Sequence, residues 1–209
     1  MLPVITIARE YGSAGHSIGE MVAKELGMPF YDSAILDHVA EQSGFTKDVV
    51  AEQGEYVNQR SKFWSGFSLT GGLYFEDPQD MIYRLQCKAI QDFAAAEPCV
   101  IVGRCADYVL NGSCDTLKVF IHSDYPYRIK RIQEVYHENP PDPKKYLQQR
   151  DRNRSTYYKY YTDHEWGDFR NYNLNLDSGY LGIDQCVSII VNAAKQRDTA
   201  PEPTLPPVE

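Results

Sequence analysis

The chain opens on an apolar run, Val4-Ile5-Thr6-Ile7-Ala8, which stops at Arg9-Glu10 and turns through Tyr11-Gly12-Ser13-Ala14-Gly15. From there Ile18, Met21, Val22 and Leu26 recur at helical spacing, and Gly27 ends the segment. A short β-branched run bounded by turn residues reads as a buried strand, and the segment after Gly15 as an amphipathic helix. A strand that empties through a small-residue loop into a helix constrains the fold more than any other feature here. The first turn of a helix leaves backbone N–H groups without partners, and its dipole adds about half a positive charge there. Such a terminus is suited to a phosphate group.

The loop compares with the phosphate-loop pattern G-x-x-x-x-G-K-[ST]. Gly12, Ser13, Ala14 and Gly15 keep the backbone slim enough to wrap a phosphate, and Ser17 falls where a hydroxyl would hold Mg2+. Glu10 stands at the first glycine and His16 at the lysine. Histidine is a weaker and shorter cation, with an ordinary pKa near 6.5. A small-residue turn with no ligand is the bland alternative.

Further strands are expected at Pro29-Phe30-Tyr31, Cys99 to Val102, Leu117 to Ile121 and Tyr172 to Asp177. Helices are expected from Ile35 to Val39, over Ile82 to Phe93, from Arg128 to Tyr136, from Pro143 to about Tyr161, and from Ile183 to Ala194. Strands alternating with helices imply a parallel sheet with right-handed crossovers. Ligands of such sheets sit at the carboxyl ends of the strands. The segments that should converge are therefore Glu10 to Ser17, Asp32-Ser33, Gly103-Arg104 and Ser123-Asp124.

At 209 residues the chain is expected to be one domain over 1–198. The polar stretch from about Glu41 to Thr70 reads as an insertion, and Pro-rich residues 199–209 as a disordered tail. The net charge of −8 argues against a general nucleic-acid partner. No apolar run approaches the ~20 residues of a membrane span. Five cysteines without a CxxC pair suggest reduced thiols in a cytoplasmic protein. The sequence does not reveal oligomeric state.

Against the acidic total, ten of the 21 Lys and Arg residues lie between Arg128 and Arg170, with seven acidic residues. If Gln149 to Arg154 is helical, Arg150 and Arg154 share one face at i, i+4. Two guanidiniums on one face can clamp a polyphosphate; a solvated, salt-bridged helix is the bland alternative. The other histidines, His38, His122, His137 and His164, show no metal-ligand spacing. Trp64 and Trp166 read as packing residues, and Asp124 as a helix cap.

Together these segments resemble the nucleoside monophosphate kinases, and best the cytidylate kinase-like family. The resemblance rests on the opening loop, Phe30-Tyr31-Asp32-Ser33, Val100-Ile101-Val102-Gly103-Arg104, Val119-Phe120-Ile121 with Arg128 and Arg131, Arg150-Asp151-Arg152-Asn153-Arg154, and Asn173 to Ser178. It implies a three-layer α/β/α P-loop fold with a mainly parallel sheet, an acceptor-binding insertion over about 33–96 and a lid over about 138–170. It implies transfer of the ATP γ-phosphoryl group to a nucleoside monophosphate or related small acceptor, with Mg2+. The loop from Gly12 to Ser17 would then hold ATP, with Ser17 at the metal. Asp32, Ser33 and Arg104 would hold the acceptor. Arg150, Asp151, Arg154 and His16 would act on the transferred group, with Asp151 orienting the lid arginines. The chain departs from the cytidylate kinase pattern at Glu10 and His16, at Cys105 after Arg104, at Leu147, and at Ser155-Thr156-Tyr157. A catalytically weak nucleotide-binding sensor is the alternative, and an acceptor that is not a nucleotide is a third reading.

Overall fold

The computed structural model describes residues 1–46, 48–50 and 77–199. Its centre is a five-stranded sheet in the order β2-β3-β1-β4-β5. The strands are β1 (Val4–Arg9), β2 (Phe30–Tyr31), β3 (Val100–Val102), β4 (Thr116–His122) and β5 (Leu174–Asp177). All four pairings are parallel, with Ile5 opposite both Val100 and Leu117.

Helices cover both faces. One core packs Ile5, Ile7, Val119 and Ile121 against Ile18 and Val22 of α1 (Gly15–Leu26). It also takes in Val187, Ile190 and Val191 of the closing helix α8 (Ile183–Thr199). The opposite core packs Val4 and Ile101 against α2 (Ser33–Ser43) and α3 (Pro78–Ala96), through Ile35, Val39, Ile82 and Ile90. This is the three-layer α/β/α arrangement that the family resemblance implies, built on the parallel sheet that the alternating pattern implies. Strand order reverses at β1, with β3 on one side and β4 on the other, so the opening at the sheet's carboxyl edge falls at Arg9 and the loop that follows.

The short α4 (Ala106–Val109) follows β3, α5 (Tyr125–Glu134) follows β4, and α7 (Ser178–Leu181) follows β5. Asp124 caps α5 by accepting the Tyr127 N–H at 3.0 Å, as its position suggests. α6 (Pro143–Thr162) is one continuous helix of 20 residues. Its middle carries Arg150, Asp151 and Arg154. Its second half buries Tyr157 and Tyr158 with Cys105, flanked by Tyr83 and Trp166. Most of the expected 41–70 insertion, the Gly71-Gly72 break, Trp64 and the tail from residue 200 lie outside the described residues. All five cysteines are free thiols.

Candidate active site

The loop between β1 and α1 is shaped by contacts that leave little room for other residue types. Gly12 has φ +81°, and a Cβ there would sit 3.0 Å from the Arg128 carbonyl oxygen. Ala14 also takes a left-handed conformation, at φ 65°. A Cβ on Gly15 would lie 2.4 Å from the Arg9 Cβ, so α1 starts close against the strand only because that residue is glycine. The Ser13 hydroxyl lies 2.9 Å from the Glu10 carbonyl oxygen and 3.0 Å from that of Ile121, and its own carbonyl accepts from Ser178 Oγ at 2.7 Å. Ser13 thus ties the loop to the end of β4 through its hydroxyl and to the residue after β5 through its carbonyl. No side chain caps α1, and its first turn holds no acid. Its leading amides thus have no side-chain acceptor, an arrangement that fits a phosphate group.

Beside the loop a buried arginine bridges two partly buried carboxyl groups. Arg128 of α5, with 3% of its side chain exposed, pairs with Glu10 at 2.9 Å and more closely still with Asp151 of α6. It also donates to the Tyr11 carbonyl oxygen at 2.8 Å. Glu10, at the position of the motif's first glycine, accepts the Ser123 N–H at 3.0 Å. Burial pushes the Glu10 carboxyl above its ordinary value, and the Arg128 charge and the Ser123 N–H oppose that shift only in part. Asp151 accepts the Tyr11 N–H at 2.8 Å. Arg150 and Arg154 stack over the Tyr11 ring, 5.2 and 5.3 Å from its centroid.

His16 and Ser17 occupy the first turn of α1. The His16 Nε2 lies 3.4 Å from Asp32 Oδ2 at the end of β2. Its ring meets Phe30 edge-on, with centroids 5.3 Å apart. The Ser17 hydroxyl accepts from Arg131 of α5 at 2.9 Å. With Ser17 and Asp32 the mouth of the loop offers two oxygen donors. That number suits Mg2+ only if nucleotide phosphates and waters supply the rest, which is its usual habit in phosphoryl transfer.

After β3 the chain turns through Gly103 and two successive left-handed residues, Arg104 at φ 57° and Cys105 at φ 55°. That turn points Arg104, 8% exposed, into a small cavity of about 40 Å3. Arg9, Arg154, Tyr157, Tyr158 and Trp166 complete its walls. The Arg9 guanidinium lies across Gly103, where a Cβ would come within 2.1 Å of it. A wider cleft of about 310 Å3 opens over the loop, lined by Glu10, Tyr11, Gly12, Gly15, His16 and Ser17. Arg9 and Arg154 line both cavities.

Of the expected site residues, Gly12, Gly15, His16, Ser17 and Arg154 line the cleft over the loop, Arg104 lines the small cavity that shares Arg9 and Arg154 with it, and Asp32 lines neither but contacts His16. Ser33 begins α2 and lines neither cavity. Sequence reasoning missed Arg9. The convergent set was drawn from Glu10 onward, one residue too late, although Arg9 is the last residue of the central strand. Arg128 and Arg131 entered only through the family resemblance, because their partners are more than a hundred residues away in Tyr11 and Ser17.

A phosphate-type loop at the end of the central strand of this five-stranded parallel sheet makes the chain a P-loop kinase fold. A crystal structure of an uncharacterized protein from Eubacterium ventriosum ATCC 27560 superposes with a TM-score of 0.70 at 24% identity, over 93% of this chain and 99% of that one. A shikimate kinase from Bacteroides thetaiotaomicron gives 0.57 at 14% identity, over 93% and 99%. A gluconokinase from Sinorhizobium meliloti 1021 gives 0.53 at 17%, over 94% and 96%. The chain belongs to the cytidylate kinase-like family, whose model matches residues 4–180. Among curated proteins none matches it. No helix among the described residues is long and apolar enough to cross a membrane.

Proposed function

We propose that this chain is an ATP-dependent phosphotransferase that moves the γ-phosphoryl group to a small acceptor, a nucleoside monophosphate or a related molecule. One observation carries the reading. Arg154, which also donates to the Arg9 carbonyl oxygen at 3.0 Å, lines both the cleft over the loop and the cavity that holds Arg104. A group passed from a donor in the first to an acceptor in the second crosses beneath its guanidinium.

Phosphoryl transfer is mostly positioning and charge neutralisation, and these residues divide that work. The free amides of α1 hold the donor phosphates. Arg104 and Arg9 hold the anionic part of the acceptor. Arg154, with Arg150 behind it on Tyr11, stabilises charge on the group in transit. Tyr157, Tyr158 and Trp166 keep water from the acceptor side. Mg2+, which would reach Ser17 with the nucleotide, supplies further charge neutralisation.

The test is calorimetric binding of Mg-ATP followed by ADP release with a panel of nucleoside monophosphates and small metabolites. Binding with acceptor-dependent ADP release is expected, and absence of ATP binding sinks the reading. A nucleotide sensor is favoured by the Glu10 carboxylate in the cleft wall, which opposes a polyphosphate. Binding without ADP release under any condition selects that alternative.

A further inference from the structure

The cavity that holds Arg104 has one acid among its cations. Arg9, Arg104 and Arg154 line it, and so does Asp107 of α4, which is 5% exposed. Among the described residues no ion pair reaches the Asp107 carboxyl. Its Oδ2 accepts the Tyr158 hydroxyl at 2.6 Å, and its own backbone N–H adds a weaker contact. An ionised carboxyl can accept about four hydrogen bonds, so acceptor capacity is left over. Aspartate is rarely this buried without a cation, and burying it costs stability. Asparagine would hold Tyr158 as well, so packing alone gives no reason for the acid. The size of the cavity bears on its use. It encloses about 40 Å3. One water takes roughly 10–15 Å3 of such space, so about three fit. An anionic head group with one neighbouring hydroxyl matches that size, and a nucleobase does not. The space a ring would need beside Arg104 is filled from α6 by Tyr157 and Tyr158, which pack on Cys105.

Resting on the phosphotransferase reading above, we propose that the acceptor is a compact hydroxylated anion, and that Asp107 selects it by accepting a hydrogen bond from a hydroxyl next to the anionic group. Arg9 and Arg104 take the anion. Arg154, which lines both cavities, stands where the reacting hydroxyl at the other end of the acceptor meets the donor. There the bond from the acceptor oxygen to the γ-phosphorus forms. The bond from that phosphorus to the β,γ-bridging oxygen breaks, its electron pair leaves on ADP, and the hydroxyl proton goes to solvent. Asp107 is a specificity-determining residue, and Tyr158, which holds one oxygen of its carboxyl, is a positioning residue. An acceptor without the neighbouring hydroxyl would displace water from a buried carboxyl and give it no partner. Such a loss discriminates more strongly than loss of an exposed contact. An acceptor with a second anionic group in that place would meet like charge.

The test uses the full chain and two acids that differ by one hydroxyl, lactate (each enantiomer) and propionate. Neither has a hydroxyl at the far end, so recognition is read apart from transfer. Affinities are measured by calorimetry with and without the inert donor Mg-AMPPNP, beside those of CMP and UMP. Wild type should bind one enantiomer of lactate about 10–100-fold more tightly than propionate. Asp107→Ala should bring the two acids to nearly equal affinity with little change for propionate. Asp107→Asn, which keeps the Tyr158 contact, should give an intermediate ratio. Arg104→Ala should weaken both acids by a similar factor. Thermal melting checks that each variant folds, and if Asp107→Ala does not, Asp107→Asn decides. An Asp107 that served only packing would weaken both acids together and leave their ratio unchanged. That result overturns the proposal, as do a wild-type ratio near one and no binding of either acid. A preference for CMP over UMP that is lost in Asp107→Ala would put a base amine on the carboxyl and also overturn it. Failure of Mg-AMPPNP to bind would instead remove the phosphotransferase reading, and the ratio measured without donor would still decide the role of Asp107.

Discussion

Asp151 Oδ1 accepts the backbone N–H of Tyr11 at 2.8 Å, joining two residues 140 apart in the chain. The helix bearing Arg150 and Arg154 is thereby registered on the phosphate loop by a main-chain contact rather than by side-chain packing alone. Asparagine at 151 keeps an acceptor oxygen and removes the charge; alanine removes both. Asp151→Ala should cost about 2 kcal/mol, since it orphans the Tyr11 N–H and removes one of the carboxylates on Arg128. Asp151→Asn should cost roughly half of that. Urea unfolding of the two variants reads the difference, and equal losses would remove the backbone contact from the account.

Arg128 neutralises Glu10 and Asp151 from a position that is almost wholly buried. Arg128→Met fills similar volume but leaves two carboxylates facing each other without a cation. Breaking such a cluster from one side costs about 3–5 kcal/mol. The sign of the pH effect follows from Glu10, whose native carboxyl already sits above its ordinary value through burial, with Arg128 opposing the rise. Loss of Arg128 raises it further. The native state of the variant then holds that proton more tightly than the unfolded chain does, so stability falls as pH rises through the native value. Denaturation midpoints should show a larger deficit at pH 7 than at pH 4.5.

What the sequence revealed and what it hid follow from distance along the chain. The opening loop, the Gly103-Arg104 turn and the arginines of α6 each sit in a few consecutive residues, so residue type and spacing suffice to find them. The parallel sheet followed from the alternation of strand and helix, whereas its strand order is visible only in the fold. The Arg128 cluster draws its members from the loop, α5 and α6, and no local pattern marks it. Asp151 was expected to steer its neighbouring arginines, and the contacts it makes with Tyr11 and Arg128 become visible only in three dimensions. The closing helix extends to Thr199 rather than Ala194 because Lys195 to Arg197 lie beyond the last core residue. They lengthen a helix without adding to its apolar stripe.

Two glycines around Arg9 should behave differently. At Gly15 a methyl group would meet the Arg9 Cβ, which is fixed to the strand backbone. Gly15→Ala should shift the start of α1 and cost about 1–3 kcal/mol, as overpacking does. At Gly103 the methyl would meet only the mobile end of the Arg9 side chain, though φ +77° adds about 1 kcal/mol of strain. Gly103→Ala should keep the fold, judged by thermal melting, and move the Arg9 guanidinium. Acceptor KM should then rise more than ATP KM.

Asp107 of α4 is buried and accepts the Tyr158 hydroxyl at 2.6 Å. Burial holds its carboxyl above the ordinary 3.8, and the Tyr158 hydrogen bond opposes that shift. A raised native value means that this group's stabilisation is complete below the ordinary carboxylate pKa. It is lost as pH rises through the native one. Asp107→Asn preserves an acceptor for Tyr158 and cannot ionise. The variant should show a flatter dependence of stability on pH above about 4 and equal or greater stability at pH 7. A dependence parallel to wild type would mean that another group titrates there.

Arg154 is the residue on which transfer should depend most. It lines both cavities, stacks on Tyr11, and donates to the Arg9 carbonyl oxygen at 3.0 Å. Part of its role is therefore to hold the loop, and part is to offer charge between donor and acceptor. Arg154→Lys keeps the charge but not the planar fork, and Arg154→Ala keeps neither. If charge on the group in transit is the larger part, Arg154→Ala should lose about 10²–10³-fold in kcat with nearly unchanged ATP affinity. Arg154→Lys should fall between that and wild type. If support of the loop is the larger part, both variants should weaken ATP binding first, with kcat following. Calorimetric ATP titration beside steady-state ADP release separates the two, and unchanged turnover in Arg154→Ala would remove this arginine from the reaction.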